Sequence, residues 1–187
     1  MPSDPRKPLD LRFVLLFLLA AYGSYLFHEF GHWSIGEILG NDMAYSLNYV
    51  SPRSGSYLDA SHNLYSSIGG PAFSILQALI ALLLIEKYKN LSIYPFAFFP
   101  MYSRFFSLAF GGFEKQDEAR IAVLLDAGRY TVAIVVVVIL LLIVVRCSST
   151  LKLDLKKNGS IAVLATLCQL LVIGTYELFS RFAVFTG

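Results

Sequence analysis

The chain has 187 residues, is 56% hydrophobic, carries a formal net charge of +2 and has a mean hydropathy of +0.62. Long apolar runs at that hydropathy exclude an ordinary soluble domain and indicate a polytopic membrane protein. The small charge, with no basic stripe interleaved with aromatics, excludes nucleic acid as a partner.

Residues 1–10 read as a short, polar, Pro-rich leader. Arg6, Lys7 and Arg12 before an apolar run resemble a signal peptide, but the run continues through Phe30, so a retained first span is expected over 11–37. Near its far end stands His28-Glu29-Phe30-Gly31-His32. Histidines four apart lie one above the other on a helix face, so both imidazoles can reach one Zn²⁺. The Glu between them can act as a base toward water at that ion. Two His and a Glu inside a membrane segment are costly unless paired or functional.

Residues 38–61 contain Gly40, Asn41, Asp42, Ser51, Pro52, Ser54 and Gly55 around the stretch 45–50. That pattern predicts a β-hairpin or re-entrant loop near 41–60. A second span is expected over 64–86, opening with Ser66-Ser67-Ile68-Gly69-Gly70-Pro71, small residues that let another backbone approach closely. A third, over 91–110, is interrupted by Pro95 and Pro100 and holds Arg104; a charged stretch follows at 111–120. Spans over 130–146 and 160–180 complete a count of five. Cys147 and Cys168 form no CxxC and read as small apolar filler. Of the 15 Lys and Arg, nine then fall on the side of the N-terminus and five on the other, which predicts a cytoplasmic N-terminus and a site nearer the outer side.

A catalytic zinc site needs three protein ligands and an open position. Asp117, Asp126, His62 and Glu118 share the side of His28 and His32 and are the candidates for the third. Asp117 and Asp126, nine residues apart, would point to opposite faces of one helix. Asp117 could equally complement a helix dipole, and Asp126 could cap the next span. A mid-span Arg104 either pairs with a carboxylate of the 111–120 stretch, stabilises an oxyanion, or snorkels to the interface.

The HEFGH stretch at 28–32 and Ser67-Ile68-Gly69-Gly70-Pro71 resemble the site-2 protease family of intramembrane zinc metalloproteases. The resemblance covers about 11–130, and only HEFGH is specific. It implies a zinc ion on His28, His32 and a later aspartate, with Glu29 as general base and hydrolysis of a peptide bond in or near a substrate's membrane span. The family's Asp-Gly motif is not intact here. Leu125-Asp126-Ala127-Gly128 looks like a degenerate end of it, and Gln116-Asp117-Glu118 like the arrangement of compact relatives. No insertion is long enough for a PDZ domain.

The expectation is an all-α, multi-pass protein of a prokaryotic cell (inner) membrane. It would form one domain over 1–187, with a core at about 11–130 and accessory helices at about 130–184. The metal ligands would be His28, His32 and Asp117, and the partners a membrane protein or peptide substrate and the lipid bilayer. Two alternatives stand beside it. One is a zinc hydrolase acting on a lipid or small amide. The other is a non-catalytic metal-binding scaffold with a closed four-ligand site, for example His28, His32, His62 and Asp117.

Overall fold

A computed structural model describes residues 10–46, 48–110 and 112–184. Most of the leader, with Arg6 and Lys7, lies outside the described residues. Its last residue, Asp10, accepts the Phe13 N–H at 2.8 Å and caps the first helix, α1 (Leu11–Ile38). A left-handed Gly40 closes that helix: the Gly40 N–H returns to the Glu37 carbonyl at 2.9 Å and the Asn41 N–H to the Gly36 carbonyl at 3.0 Å.

The chain then turns into an antiparallel hairpin, β1 (Met43–Tyr45) and β2 (Val50–Pro52), with Ala44 opposite Ser51. This is the hairpin expected within 41–60. The Tyr45 hydroxyl donates to the Leu26 carbonyl at 2.6 Å and ties it to α1. The Ser46 N–H bonds the Tyr49 carbonyl and the Arg53 N–H the Asp42 carbonyl. Alternation along the ladder therefore turns the Val50 N–H and C=O toward the outer edge of β2.

Four more helices and one short one follow. They are α2 (Ala60–Tyr88), α3 (Tyr94–Phe110), the eight-residue α4 (Asp117–Leu124), α5 (Thr131–Leu151) and α6 (Leu155–Val184). The Val- and Ile-rich run of α5 would favour a strand in a water-facing sheet. In an apolar surround each backbone group must be satisfied within its own segment, and a helix does that.

Four described helices, rather than the five expected, are long and apolar enough to cross a membrane: Leu11–Ile38, Ala60–Tyr88, Thr131–Thr150 and Leu155–Leu178. The expected third span is divided. Asn90 caps a single 3₁₀ turn, Leu91–Ile93, and the helix that follows has 17 residues. At 1.5 Å per residue α3 is about 25 Å long, short of a hydrocarbon core of about 30 Å. It nonetheless runs in the same sense as α1. Phe98 and Phe99 pack on Phe17 with ring centroids 6.3 and 6.1 Å apart, and Arg104, further along, reaches His28. Tyr94, Phe99, Leu140 and Ile161 are fully buried where α3, α5 and α6 meet. Cys147 and Cys168 are buried in the same core and unbridged, as expected of apolar filler.

α1 crosses α2 in direct backbone contact. A Cβ on Gly31 would lie 2.3 Å from the Gly69 carbonyl oxygen, and one on Gly69 2.4 Å from that of Gly31. Two backbones touch there with nothing between them, the role expected of the small residues opening the second span.

Candidate metal centre

The contact of Gly31 with Gly69 sets the depth at which α1 presents its histidines to α2. His28, Glu29 and His32 are all buried, and one donor atom from each lies within 4.8 Å of the others; the group can hold a metal ion. Ser66, Gly70 and Ser74 fall at helical spacing on the facing side of α2 and shape what the rings meet. The Ser66 carbonyl lies 2.7 Å from His32 Nδ1. A carbonyl only accepts, so Nδ1 donates, and in the neutral ring Nε2 keeps its lone pair. His28 Nδ1 lies 2.9 Å from the Ser74 hydroxyl. Pro71 has no N–H for the Ser67 carbonyl, which loosens α2 beside these contacts. Gly70 forms the floor: a Cβ there would lie 2.3 Å from His32 Nε2 and 2.5 Å from His28 Nε2.

The third arm comes from α4. Asp117 Oδ2 lies 2.9 Å from His28 Nε2 and 3.1 Å from His32 Nε2, and the two ring nitrogens are 3.1 Å apart. These three atoms form a nearly equilateral triangle. Tetrahedral Zn²⁺ with bonds of about 2.0–2.1 Å spaces its ligand atoms about 3.3–3.4 Å apart, so an opening of a few tenths of an ångström converts this triangle into one face of such a site. Burial alone would push the Asp117 carboxyl up. The two imidazoles at hydrogen-bonding distance, and their charge when protonated, outweigh it and hold that carboxyl well below the usual carboxylate range. Arg120 Nη2 donates to the other carboxylate oxygen, Oδ1, at 3.1 Å.

The remaining candidates are not brought to this point. His62 Nδ1 faces the Asn41 amide at 3.2 Å, and that asparagine also donates to the Gly36 carbonyl and accepts the Leu58 N–H. His62 thus belongs to the loop that seats the hairpin. Asp126 is exposed, in a left-handed turn after α4 with φ 50°, and neither joins the cluster nor caps α5. Glu118 is buried but directed at Arg104, with Oε2 3.5 Å from Nη1.

No family model, no curated protein and no solved structure matches the chain. The geometry of the centre and its surroundings is what bears on function. A cavity of about 570 Å³ opens beside it, lined by Glu29, both histidines, Asp117 and Arg104, and by Tyr49 and Val50 of the hairpin. Among the described residues no hydrogen-bond partner engages Glu29, whose carboxylate borders this cavity. Ser66 and Ser74 are the site residues that motif reading passed over. They stand eight residues apart with Gly70 midway, which puts all three on one helix face, and that spacing was the available signal.

Proposed function

We propose that the protein is a membrane-embedded zinc endopeptidase that hydrolyses a peptide bond in or near a substrate's membrane-spanning segment. The observation that carries this reading is the convergence of His28 Nε2, His32 Nε2 and Asp117 Oδ2 at 2.9–3.1 Å beside a cavity that Glu29 borders. Those three residues would hold the ion, with the Ser66 carbonyl and Ser74 hydroxyl fixing the rings from behind. When bound, zinc supplies Lewis acidity toward a carbonyl oxygen and toward water. Glu29 takes a proton from the attacking water and returns it to the leaving amine. The outer edge of β2 offers the Val50 N–H and C=O to an unwound, extended substrate, which gains main-chain hydrogen bonds there that it lost on leaving its helix.

The resemblance of 28–32 and 67–71 to the site-2 protease family supports the same chemistry. So does the placement of His62: held by Asn41, it does not serve as the fourth ligand of the closed His28, His32, His62 and Asp117 set that a scaffold would use. The reading also takes α3 as a fifth crossing, with the N-terminus cytoplasmic and the centre toward the outer side.

The test is cleavage of a fluorogenic single-span peptide co-reconstituted with the protein. Glu29→Gln is expected to lower turnover by about 10²–10⁴-fold, the usual contribution of a general base, while leaving zinc bound. Turnover at the wild-type rate in that variant contradicts the mechanism. Hydrolysis of lipid esters or small amides in place of the peptide would shift the substrate class.

A further inference from the structure

One charge does not fit a divalent centre as it stands. Arg104 lies on α3 with its side chain 13% exposed, and its Nη2 is 3.1 Å from both ring nitrogens of His28. An in-plane approach to both nitrogens is blocked by Cε1–H, so Nη2 lies over the ring face. Its other amino group, Nη1, is 4.0 Å from Asp117 Oδ2. A guanidinium keeps its proton at any accessible pH. It therefore cannot make room for a second cation by becoming neutral, and has to move.

The place it can move to is built. Nη1 is only loosely set against Glu118 Oε2, at 3.5 Å. Among the described residues, Arg104 Nε and Glu118 Oε1 are both buried and both without a hydrogen-bond partner. One donor and one acceptor are thus left over on two residues already in contact. A full two-bond fork between the guanidinium and the Glu118 carboxylate would satisfy both at once. Glu118 is 1% exposed, so water cannot do this in its stead.

We infer that Arg104 is a displaceable counter-cation of the centre: it sits over His28 and Asp117 when no metal is bound and withdraws onto Glu118 when a divalent cation takes those donors. The inference rests on the metal-binding reading above and adds a positioning pair, Arg104 and Glu118, that sets how tightly the ion is held. Arg104 competes with the metal, and Glu118 relieves that competition.

The two residues therefore have opposite effects on affinity. Zinc dissociation constants are measured by chelator competition on the full-length protein in detergent for wild type, Arg104→Gln, Glu118→Gln and the double variant. Arg104→Gln, which removes the competing charge, is expected to bind zinc about tenfold tighter, and Glu118→Gln, which removes the seat, about tenfold weaker. The double variant is expected to match Arg104→Gln, because Glu118 acts only through Arg104. Weaker or unchanged binding in Arg104→Gln, or unchanged or tighter binding in Glu118→Gln, overturns the inference and leaves the metal centre standing. Absence of zinc binding by the wild type overturns both together. If Arg104→Gln fails to fold, Arg104→Lys answers instead. It keeps the charge without the fork, so affinity should fall about as it does in Glu118→Gln, and an increase contradicts the account.

Discussion

Glu29 and Asp117 are both carboxylates within reach of the same imidazoles, and their surroundings assign them different work. Asp117 is engaged on both oxygens, by the two rings on one side and by Arg120 on the other. Glu29 is left facing the cavity. Exchange of the two roles is testable by metal analysis alone: Glu29→Gln should retain zinc and Asp117→Asn should lose it. Loss of zinc in Glu29→Gln would make Glu29 a fourth ligand and favour a closed structural site. Acid should release the metal, because rings and carboxylate bind it only when deprotonated, so affinity falls as pH falls, by up to tenfold per pH unit for each proton taken up. Asp117, held well below the usual carboxylate range, stays ionised as the solution becomes mildly acidic, so proton competition there falls on the rings. A zinc affinity that does not fall between neutral pH and pH 5 would contradict the imidazole ligands. The HEFGH spacing made His28, Glu29 and His32 legible, since helix periodicity alone brings them together. The third donor was not: choosing Asp117 over Asp126, Glu118 and His62 depends on how α4 approaches α1 across the 84 residues between His32 and Asp117.

At the level of elements, the crossing of α1 on α2 does two separable jobs. Gly31 and Gly69 let the backbones touch, so Gly31→Ala has to push the helices apart, at a cost of about 1–3 kcal/mol for overpacking. A thermal midpoint in detergent equal to that of the wild type would contradict the contact. Gly70 faces the donor nitrogens, and Gly70→Ala should therefore impair zinc retention by more than it lowers the midpoint. The small residues opening α2 were readable from sequence as a close-approach surface, but their division into a helix contact and a metal floor needed the facing helix. The hairpin was readable because turn residues flank a short alternating stretch. Val50→Pro leaves the ladder to β1 intact, since that N–H points outward, and removes a hydrogen bond offered to an extended substrate. Peptide cleavage is expected to weaken through KM at unchanged zinc content. Unchanged kinetics would remove the strand-pairing element.

Across the whole molecule the weak point of the sequence reading was 91–110. A run interrupted by Pro95 and Pro100 has an ambiguous length, and it resolves into a 3₁₀ turn and a helix too short to be counted on hydropathy alone. Its packing beside α1 is a tertiary fact with no local signature. If α3 is a full crossing, the two ends of the chain lie on opposite sides of the membrane, and reporters fused at the N- and C-termini should report opposite compartments. Reporters in the same compartment would leave four crossings and place α3 in the membrane without traversing it. The measurement closest to the central claim is metal content of the purified, full-length protein beside its Asp117→Ala, Asp126→Ala and His62→Ala variants. The account predicts about one zinc ion per chain in the wild type, lost in Asp117→Ala and kept in the other two. Zinc lost in Asp126→Ala or His62→Ala but kept in Asp117→Ala, or absent from the wild type after zinc supplementation, would contradict it.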